Sequence, residues 1–383
     1  MSPFALPPSP FALHPSPFAL SHRLHFPRLQ RLANVYRGSQ LESFHTGSIV
    51  VVDARGRVVA LAGDPSFRIC LRSAAKPFQA FPLLEYGGVE EYELSGEEIA
   101  LTCASHGGEP IHVATAAALL RKGEFDEEDL LCGAHAPYDE KSAADLRAAG
   151  EEPSPLHNNC SGKHAGMLLA TQAMDLSPAA YIDAEHPLQV LMRTTVAEFA
   201  GVEPDDVPLS IDGCGVPAFH LSLYRTAFAY ARLMATSLGA EAPGALPRYA
   251  ESAQAVVEAM TSFPYFVAGN WSLTTPLLQA FAGDLLAKEG AEGVYVMALS
   301  PALHEALTGR LKLDDDCALG IALKVHDGSM TRGRNPVILK TLELLGLDVA
   351  TAPELQRYRE WPLRNIAGTL VGEVRAEFEL EIM

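Results

Sequence analysis

Gly47-Ser-Ile-Val-Val-Val-Asp53 and Arg57-Val-Val-Ala-Leu61 are two β-rich stretches that flank the short segment Ala54-Arg-Gly56. β-Branched and apolar residues favour strands, and a glycine-containing segment between two such runs is typical of a turn. The pair therefore predicts a β-hairpin near the start of the folded body.

Outward from this hairpin, further strand-like segments are predicted at 207–211, 293–298 and 317–325. Helices are predicted at 96–104, 111–122, 163–174, 186–200, 218–238, 247–260 and 335–346. Because strands cluster towards the two chain ends while the middle is mostly helical, the predicted fold class is α+β, a sheet flanked by helices, rather than a doubly wound parallel sheet. No glycine-rich nucleotide loop follows a strand, so a nucleotide cofactor lacks support.

The start of the chain differs from the rest. The pentapeptide Ser-Pro-Phe-Ala-Leu occurs at 2–6, 9–13 and 16–20, and its prolines interrupt any continuous apolar run. We therefore predict that residues 1–34 are a disordered or mis-assigned extension, and that residues 35–383 form one folded domain.

Composition narrows the class of protein. The chain has 383 residues, 48% of them hydrophobic, and a formal net charge of -18, so it can bury a substantial core. A strongly acidic body without a basic patch argues against nucleic acid or an anionic membrane surface as partner. No segment reads as a secretory signal or membrane span, and six cysteines are too sparse for a disulfide scaffold. A cytoplasmic location is the expectation.

Arg72-Ser73-Ala-Ala-Lys76-Pro77 places a hydroxyl three residues before an amine. On one helical turn both groups share a face, so the amine can take the hydroxyl proton. Pro77 is tolerated only near the first turn of a helix, which puts Ser73 at a helix start, where unpaired N–H groups favour an oxyanion. The spacing suits an activated serine, although so short a motif also arises by chance.

A second polar cluster combines thiols, an amine and an imidazole with glycines. It comprises Cys160-Ser-Gly-Lys163-His164 and, further along, Asp212-Gly-Cys214-Gly. Two thiolates suit zinc, whereas a lysine is an unusual ligand that must first lose its proton. Cysteines this far apart are more often simply buried, so from the residues both interpretations stay open.

Several uncommon motifs occur together in one order: Arg72–Gln79, Cys103–His106, His157–His164, Asp212–Pro217 and Lys288–Gly293. In content and order they resemble the thermolabile type II L-asparaginases typified by the rhizobial enzymes, the class 3 asparaginases. The resemblance runs from about residue 35 to the C-terminus. It implies an L-asparagine amidohydrolase that yields L-aspartate and ammonia, with a fold similar to glutaminases and serine β-lactamases, and a homodimer.

The resemblance also implies two catalytic serine and lysine pairs, Ser73 with Lys76 and Ser105 with Lys288. From the sequence alone, Lys288 reads more simply as a surface lysine at a helix end. We expect Lys76 to deprotonate Ser73, whose hydroxyl attacks the side-chain amide to give an acyl-enzyme. Ser105 and Lys288 would then move protons or orient substrate, although the roles of the two pairs could be exchanged.

The resemblance further implies that Cys160, Lys163 and Cys214 bind a zinc ion, whose role in catalysis or in substrate positioning stays open. Arg72 is a candidate for the substrate carboxylate because its planar fork matches that group. Asp212 and His164 are candidate substrate-contacting groups, or else Asp212 caps a turn and His164 simply opens a helix.

Other functions remain as alternatives. A glutaminase differs by one methylene in its substrate, which is worth only about 1–3 kcal/mol of discrimination. A β-lactamase-like acyl hydrolase would share Ser-x-x-Lys but also expects Ser-Asp-Asn and Lys-Thr-Gly, and the sequence has neither. A non-enzymatic zinc-binding protein would leave the two hydroxyl and amine pairs without a purpose.

Overall fold

The computed structural model describes residues 29–383 apart from positions 308, 310, 312 and 315. The prediction for residues 1–34 therefore falls largely outside the described residues. Its last five positions, 30–34, belong to the first strand.

Most strands lie towards the two ends of the chain, and most helices lie between them. The strands are β1 (Gln30–Arg37), β2 (Gln40–Asp53), β3 (Val58–Ala62), β4 (Arg68–Cys70), β5 (Leu209–Ile211), β6 (Pro217–Ser222), β7 (Leu285–Glu289), β8 (Val294–Leu299), β9 (Leu319–Val325), β10 (Pro362–Arg364), β11 (Leu370–Ala376) and β12 (Glu381–Ile382). The α-helices are α1 (Lys76–Gln79), α2 (Phe81–Glu85), α3 (Gly88–Glu91), α4 (Gly96–Thr102), α5 (Pro110–Lys122), α6 (Glu140–Ala149), α7 (Ser161–Ala173), α8 (Pro187–Ala200), α9 (Leu223–Ser237), α10 (Ala250–Ser262), α11 (Pro264–Ala268), α12 (Thr274–Ala280) and α13 (Asn335–Leu345).

Nine strands form one antiparallel sheet. Its order is β10-β11-β1-β2-β9-β8-β7, with β3 also paired to β2 and β12 to β3. The long strand β2 connects the two halves of this sheet. Its first half pairs with β1, and its second half pairs with both β9 and β3. Strands β4, β6 and β5 form a separate small sheet. The predicted α+β class, a sheet flanked by helices, is confirmed.

The central sheet is covered on both faces. Consecutive residues of β8 are all buried, and since successive side chains point to opposite faces, neither face meets solvent there. Helix α9 packs across β2, β8 and β9. Its approach to β9 is so close that a Cβ added at Gly320 would lie 1.8 Å from the carbonyl oxygen of Ala227.

Most of the predicted elements appear close to their expected bounds. The hairpin forms as β2 and β3, with Val51 opposite Ala60. The capping box at the start of α4 is also present, since Ser95 accepts from the backbone N–H of Glu98 and the Glu98 carboxylate accepts from the N–H of Ser95. This pair satisfies two N–H groups that a helix start leaves without partners.

The helix predicted at 218–238 is wrong in its first part. Residues 217–222 form strand β6, which pairs with β4 and β5, and the helix begins only at Leu223. The start is fixed by Ser222, whose hydroxyl accepts from the N–H of Arg225. Strand pairing thus overrides the helical periodicity, and the serine cap marks the true boundary.

No helix in the described part of the chain is both long and apolar enough to cross a membrane. All six cysteines are free thiols.

The contact between α9 and β9 gives a test of the fold. We expect Gly320→Ala to lower the free energy of unfolding by about 3 kcal/mol or more, because the new methyl group would overlap helix backbone that cannot move aside. Gly38→Ala is a matched control, because its site is open but its φ of 58° disfavours a Cβ, so it should cost only about 1–2 kcal/mol. Denaturant unfolding curves would measure both, and equal losses would contradict the packing described.

Candidate active site

Two lysine side chains converge on the hydroxyl of Ser105. The Nζ of Lys288 lies 2.7 Å from Ser105 Oγ, and the Nζ of Lys76 lies 3.0 Å from the same oxygen. All three side chains are buried. Since a hydroxyl donates one proton and accepts through two lone pairs, this oxygen links both amines in a continuous hydrogen-bonded chain, hereafter the Lys–Ser–Lys chain.

Each member of the Lys–Ser–Lys chain comes from a different part of the fold. Lys76 opens α1, and Pro77 is tolerated there because a first-turn N–H needs no helical partner. Ser105 follows α4 and is held by its backbone N–H, which donates to the carbonyl of Val267 at 2.9 Å. Lys288 lies on β7, where strand pairing with β8 fixes its backbone. The site therefore forms only when the sheet and helices are assembled.

Ser73 lies in a 3-10 turn, Arg72–Ala75, that leads into α1. It is half-buried, whereas Ser105 is only 2% exposed. Lys76 directs its hydrogen bonds to Ser105 and to the backbone carbonyls of Ala104 and Asn159. The predicted bond between Lys76 and Ser73 is not among them. Ser73 is thus one turn from the lysine but in the more accessible position.

The residue before Ser73 has an unusual backbone. Arg72 has a φ of 50°, in the left-handed region that a residue with a Cβ rarely adopts. Such a conformation costs on the order of 1–3 kcal/mol and persists only where surrounding contacts hold it. Arg72 is held by Asp212, whose Oδ1 accepts from its Nε at 2.9 Å.

Glu289 follows Lys288 on β7 and forms an ion pair with it. The Nζ of Lys288 donates to Glu289 Oε1 at 2.8 Å, in a setting where neither side chain is exposed. Burial lowers the pKa of Lys288 to about 8; Glu289 opposes this shift, and Lys76 adds to it. Burial by itself would raise the pKa of Glu289, but the charge of Lys288 and nearby hydroxyl donors hold it below its usual range.

The second carboxylate oxygen of Glu289 is also satisfied. Ser272 Oγ donates to it at 3.1 Å, and Thr274 Oγ1 donates to the same oxygen. Thr274 in turn lies 2.9 Å from the hydroxyl of Tyr295, and the charge of Arg334 adds to the lowering of the Glu289 pKa. A buried carboxylate with partners on both oxygens is fixed in position as well as in charge.

The two predicted thiol ligands meet beside Lys163. Lys163 Nζ lies 3.0 Å from Cys214 Sγ. The thiol of Cys160 donates to Asn159 Oδ1 at 3.6 Å, and it lies close enough to Cys214 for each thiol to shift the pKa of the other. The neighbouring Cys214 thiol lowers the pKa of Cys160; burial opposes the shift, and Lys76 and Lys163 reinforce it. Burial would lower the pKa of Lys163, but the two sulfurs outweigh it and the pKa is raised. The Cys160 sulfur and burial raise the pKa of Cys214, so of the two thiols Cys160 is the one that loses its proton more easily.

This donor set fits zinc in its chemistry. The two thiols and the amine are buried, Lys163 contacts Cys214, and all three groups influence one another's pKa. Once deprotonated, all three are electron-pair donors. Within the described residues, no group of three or more histidine, cysteine, aspartate or glutamate side chains is placed to hold a metal. A zinc site with three protein ligands is therefore possible in this cluster only if Lys163 is one of the ligands.

Asp212 stabilises a turn and also contacts a predicted substrate-binding residue. Its Oδ1 accepts from the N–H of Gly213 and from Arg72, so it stabilises a turn, and its contact with substrate stays a prediction. Burial would raise the Asp212 pKa, but Lys163 and Arg72 lower it. Asp212 is thus an anion that lies between the thiol cluster and Arg72.

His164 is completely buried in the first turn of α7. Its Nδ1 lies 2.7 Å from the hydroxyl of Tyr181, which also accepts from the N–H of Leu131. The tyrosine proton therefore points to Nδ1, and burial lowers the pKa of His164 well below its usual value. This is a neutral imidazole inside the helical layer, and its predicted contact with substrate stays a prediction.

Sequence reasoning missed some residues around the Lys–Ser–Lys chain. The interpretation of Lys288 as a surface lysine at a helix end is wrong, because it is fully buried on a strand. The sequence contains one sign of this burial, because the apolar run Leu285-Leu-Ala directly precedes Lys288 and Glu289. Two adjacent opposite charges at the end of an apolar run are compatible with a buried ion pair. Trp271 was also missed: its indole N–H donates to the Ser105 carbonyl at 3.3 Å, and its ring lies 5.0 Å from that of Tyr138.

Comparison with known proteins gives the class and the family. The model of the L-asparaginase II family matches residues 33–376, and the chain belongs to this family. Membership of this family supports an amidohydrolase, an enzyme that cleaves an amide. The recognition made from the motifs is confirmed, while asparagine as the particular substrate and a homodimer as the assembly stay predictions. No curated protein matches the chain.

Solved structures give more distant likenesses. Crystal structures of a protein called Mglu match at 17% identity: one has a TM-score of 0.42 and covers 78% of this chain, and the native form has 0.41 and covers 83%. A third, Mglu in its glutamate form, has 0.40. The matched parts are 65%, 69% and 60% of those chains. Likeness this distant says nothing about substrate or mechanism.

The lowered pKa of Lys288 can be measured directly. With lysine labelled at ¹³Cε, we expect one signal to titrate near pH 8, because burial disfavours the ammonium form. Lys288→Arg should remove that signal, whereas Arg substitution of the exposed Lys141 should leave it in place. If all lysine signals titrate above pH 10, the ammonium of Lys288 is not destabilised as described.

Proposed function

We propose that this protein hydrolyses the side-chain amide of L-asparagine to L-aspartate and ammonia, using a serine nucleophile activated by lysine. The observation that carries the proposal is the Lys–Ser–Lys chain, in which Lys76 and Lys288 both contact Ser105. Family membership supports amide cleavage, and the buried amines supply the base and acid that such cleavage needs.

Ser73 is the nucleophile in this proposal. It is half-buried at a helix start, so a substrate can reach it, whereas Ser105 is buried and already bonded to two amines. The Ser73 oxygen forms a bond to the amide carbon while its proton passes to the amine of Lys76, which can accept it only in its unprotonated form. The oxyanion that results needs hydrogen-bond donors that point at it.

Collapse of this intermediate breaks the carbon–nitrogen bond. The leaving nitrogen takes a proton that reaches it through the Lys–Ser–Lys chain, and it departs as ammonia. A water molecule then attacks the ester on Ser73, loses its proton to Lys76, and releases L-aspartate with the serine hydroxyl restored. The protons balance because each one taken up by an amine is returned within the cycle.

Arg72 and Asp212 are suited to hold the amino-acid end of the substrate. An α-amino acid carries a carboxylate and an ammonium, which are the counterparts of a guanidinium and a carboxylate. The two side chains form an ion pair, and Arg72 directly precedes Ser73 in the sequence. Binding of the substrate carboxylate by Arg72 and of its ammonium by Asp212 would present the side-chain amide to the Ser73 hydroxyl.

Cys160, Lys163 and Cys214 would hold zinc. When bound, the ion would supply a Lewis acid and a local positive charge. Asp212 lies close enough to Lys163 for each charge to shift the other's pKa, so it would orient the site and the substrate together.

Ammonia release by serine variants tests the mechanism. We expect Ser73→Ala to lower kcat at least about 10³-fold, because the acyl bond could not form, and Ser105→Ala to lower it at least about 10²-fold, because the proton route would be cut. The exposed Ser39→Ala serves as the matched control. Both L-asparagine and L-glutamine should be assayed, and we expect the larger kcat/KM with asparagine.

Trapping of the acyl-enzyme separates the two serines. Acid quenching during turnover, followed by mass spectrometry of peptides, should find the adduct on Ser73. A fully active Ser73→Ala enzyme, or an adduct on Ser105, would remove Ser73 as nucleophile. A wild-type protein that releases no ammonia from either amide would contradict the proposed function itself.

Elemental analysis tests the metal proposal. We expect about one zinc per chain, and we expect Cys160→Ser and Cys214→Ser each to lower the zinc content strongly, because a hydroxyl is a poor replacement for a thiolate. Cys70→Ser is the control, since that thiol is partly exposed and outside the cluster. A metal-free wild-type protein with full activity would rule out a necessary role for zinc.

A further inference from the structure

One exposed aromatic side chain is linked to the Lys–Ser–Lys chain through a second ring. Tyr138 is 47% exposed, yet two other rings hold it. It stacks on His135, with ring centroids 4.8 Å apart, and its centroid lies 5.0 Å from that of Trp271. These three rings are hereafter called the aromatic wall. A ring that two neighbours hold while half of its surface stays open has the free surface that contact with a ligand needs.

Both ends of the aromatic wall are anchored to the site. The Asn159 N–H donates to His135 Nε2 at 3.1 Å, and His135 Nδ1 donates to the Ala136 carbonyl at 2.7 Å, so the imidazole ring is fixed. The indole N–H of Trp271 donates to the Ser105 carbonyl. Ser105 belongs to the Lys–Ser–Lys chain, and the Asn159 carbonyl accepts a hydrogen bond from the same chain. The wall therefore cannot shift without the residues that surround the two amines.

The backbone on either side of Tyr138 is fixed as well. The N–H of Asp139 donates to the carbonyl of Gly107 at 3.0 Å. Pro137 lies against Gly108, where an added Cβ would be 3.1 Å from the Pro137 Cα. The loop that carries the tyrosine thus rests on the segment that follows Ser105. A wall formed before a ligand arrives saves the entropy that ordering it on binding would cost.

The polar end of Tyr138 is open. In the part of the chain that the structure describes, no group forms a hydrogen bond with its hydroxyl, although charged groups act on it. Burial raises the pKa of Tyr138, as do Cys160 and Asp212, whereas Arg72 lowers it. The hydroxyl is therefore within electrostatic reach of Arg72 and Asp212, the two side chains that are suited to hold the amino-acid end of the substrate.

We infer that Tyr138 is a substrate-binding residue, whose ring contacts the carbon chain of the bound amino acid and whose hydroxyl donates to the α-carboxylate held by Arg72. This inference rests on the proposed function and adds a third side chain to the recognition of the α-amino acid. A phenol O–H is a good donor to a carboxylate, and an aromatic face packs well on a methylene group. Tyr138 takes no part in proton transfer.

The two tryptophans of the chain allow binding to be measured without turnover. Trp271 lies in the aromatic wall, whereas Trp361 packs on Tyr358, with ring centroids 5.9 Å apart. Trp361→Phe therefore leaves a single indole beside Tyr138. We expect L-aspartate, the product of the proposed reaction, to change the emission of that indole in a saturable way, because a ligand at the wall changes its surroundings.

Tyr138→Phe in this single-tryptophan protein tests the contact. It keeps the ring and removes only the hydroxyl, so we expect the Kd for L-aspartate to rise about tenfold, as loss of a hydrogen bond to a charged group implies. L-Isoasparagine, in which an amide replaces the α-carboxylate, should lose less than about threefold. Tyr138→Ala should weaken L-aspartate further, because the ring contact is lost too. Tyr86→Phe is the matched control, since Tyr86 is 49% exposed and takes part in none of the contacts described.

Steady-state kinetics distinguishes binding from a purely structural role. A contact that is equally strong in the ground state and the transition state changes KM and leaves kcat in place. We therefore expect Tyr138→Phe to raise KM for L-asparagine about tenfold and to change kcat by less than about threefold. A variant that merely loosened the loop would lower kcat instead, because Ser105 would be displaced.

The binding data separate this inference from the proposed function. If Tyr138→Phe binds L-aspartate as tightly as its single-tryptophan parent, the inference is overturned, even if the wild type is an active asparaginase. Equal losses for L-aspartate and L-isoasparagine would likewise overturn the assignment to the α-carboxylate. A weakened aspartate affinity in a protein that releases no ammonia would uphold the contact and reject the function. If the Trp271 emission does not respond, calorimetry measures the same affinities, and a wild type that neither binds L-aspartate nor releases ammonia would overturn both.

Discussion

A single hydroxyl shared by two buried amines is the constraint on which the site depends. Ser105, Lys76 and Lys288 come from three separate segments, and none of them could be kept dry without the others. Burying amines costs free energy unless partners replace water, and here carbonyls, the hydroxyl and Glu289 do so. The packed sheet and helices therefore maintain a polar centre that the apolar core could not tolerate if it were incomplete.

The thiol cluster and the Lys–Ser–Lys chain are joined through the backbone. The backbone carbonyl of Asn159 accepts a hydrogen bond from Lys76. The next residue is Cys160, whose thiol lies beside Cys214. A metal bound at the thiols would therefore be felt at Lys76 through its charge and through the position of this segment. Since both clusters use the same turn at the start of α7, neither can shift without moving the other.

Much of the fold and of the site could be predicted from the sequence, and the predictions that were wrong or missing have physical causes. The hairpin and the capping box at Ser95 follow from local preferences and form as expected. The pairing of Lys76 with Ser105 rather than Ser73 could not be predicted, because a contact across 29 residues depends on how α4 ends against α1. From the residues alone Lys288 reads as a surface lysine, because a strand of five residues is too short for periodicity to identify, and only the family resemblance marks it as catalytic.

The strained backbone at Arg72 acquires a meaning under the proposed function. Arg72 has a positive φ and is held to Asp212 by an ion pair, so the contact that maintains the strain is also the one a bound amino acid would replace. A substrate with a carboxylate and an ammonium can separate the two side chains without leaving either charge unpaired, which a substrate with only one charge cannot do. Since Ser73 follows Arg72 directly, the same replacement bears on the position of the nucleophile, and selection of an α-amino acid is thereby coupled to placement of the attacking oxygen.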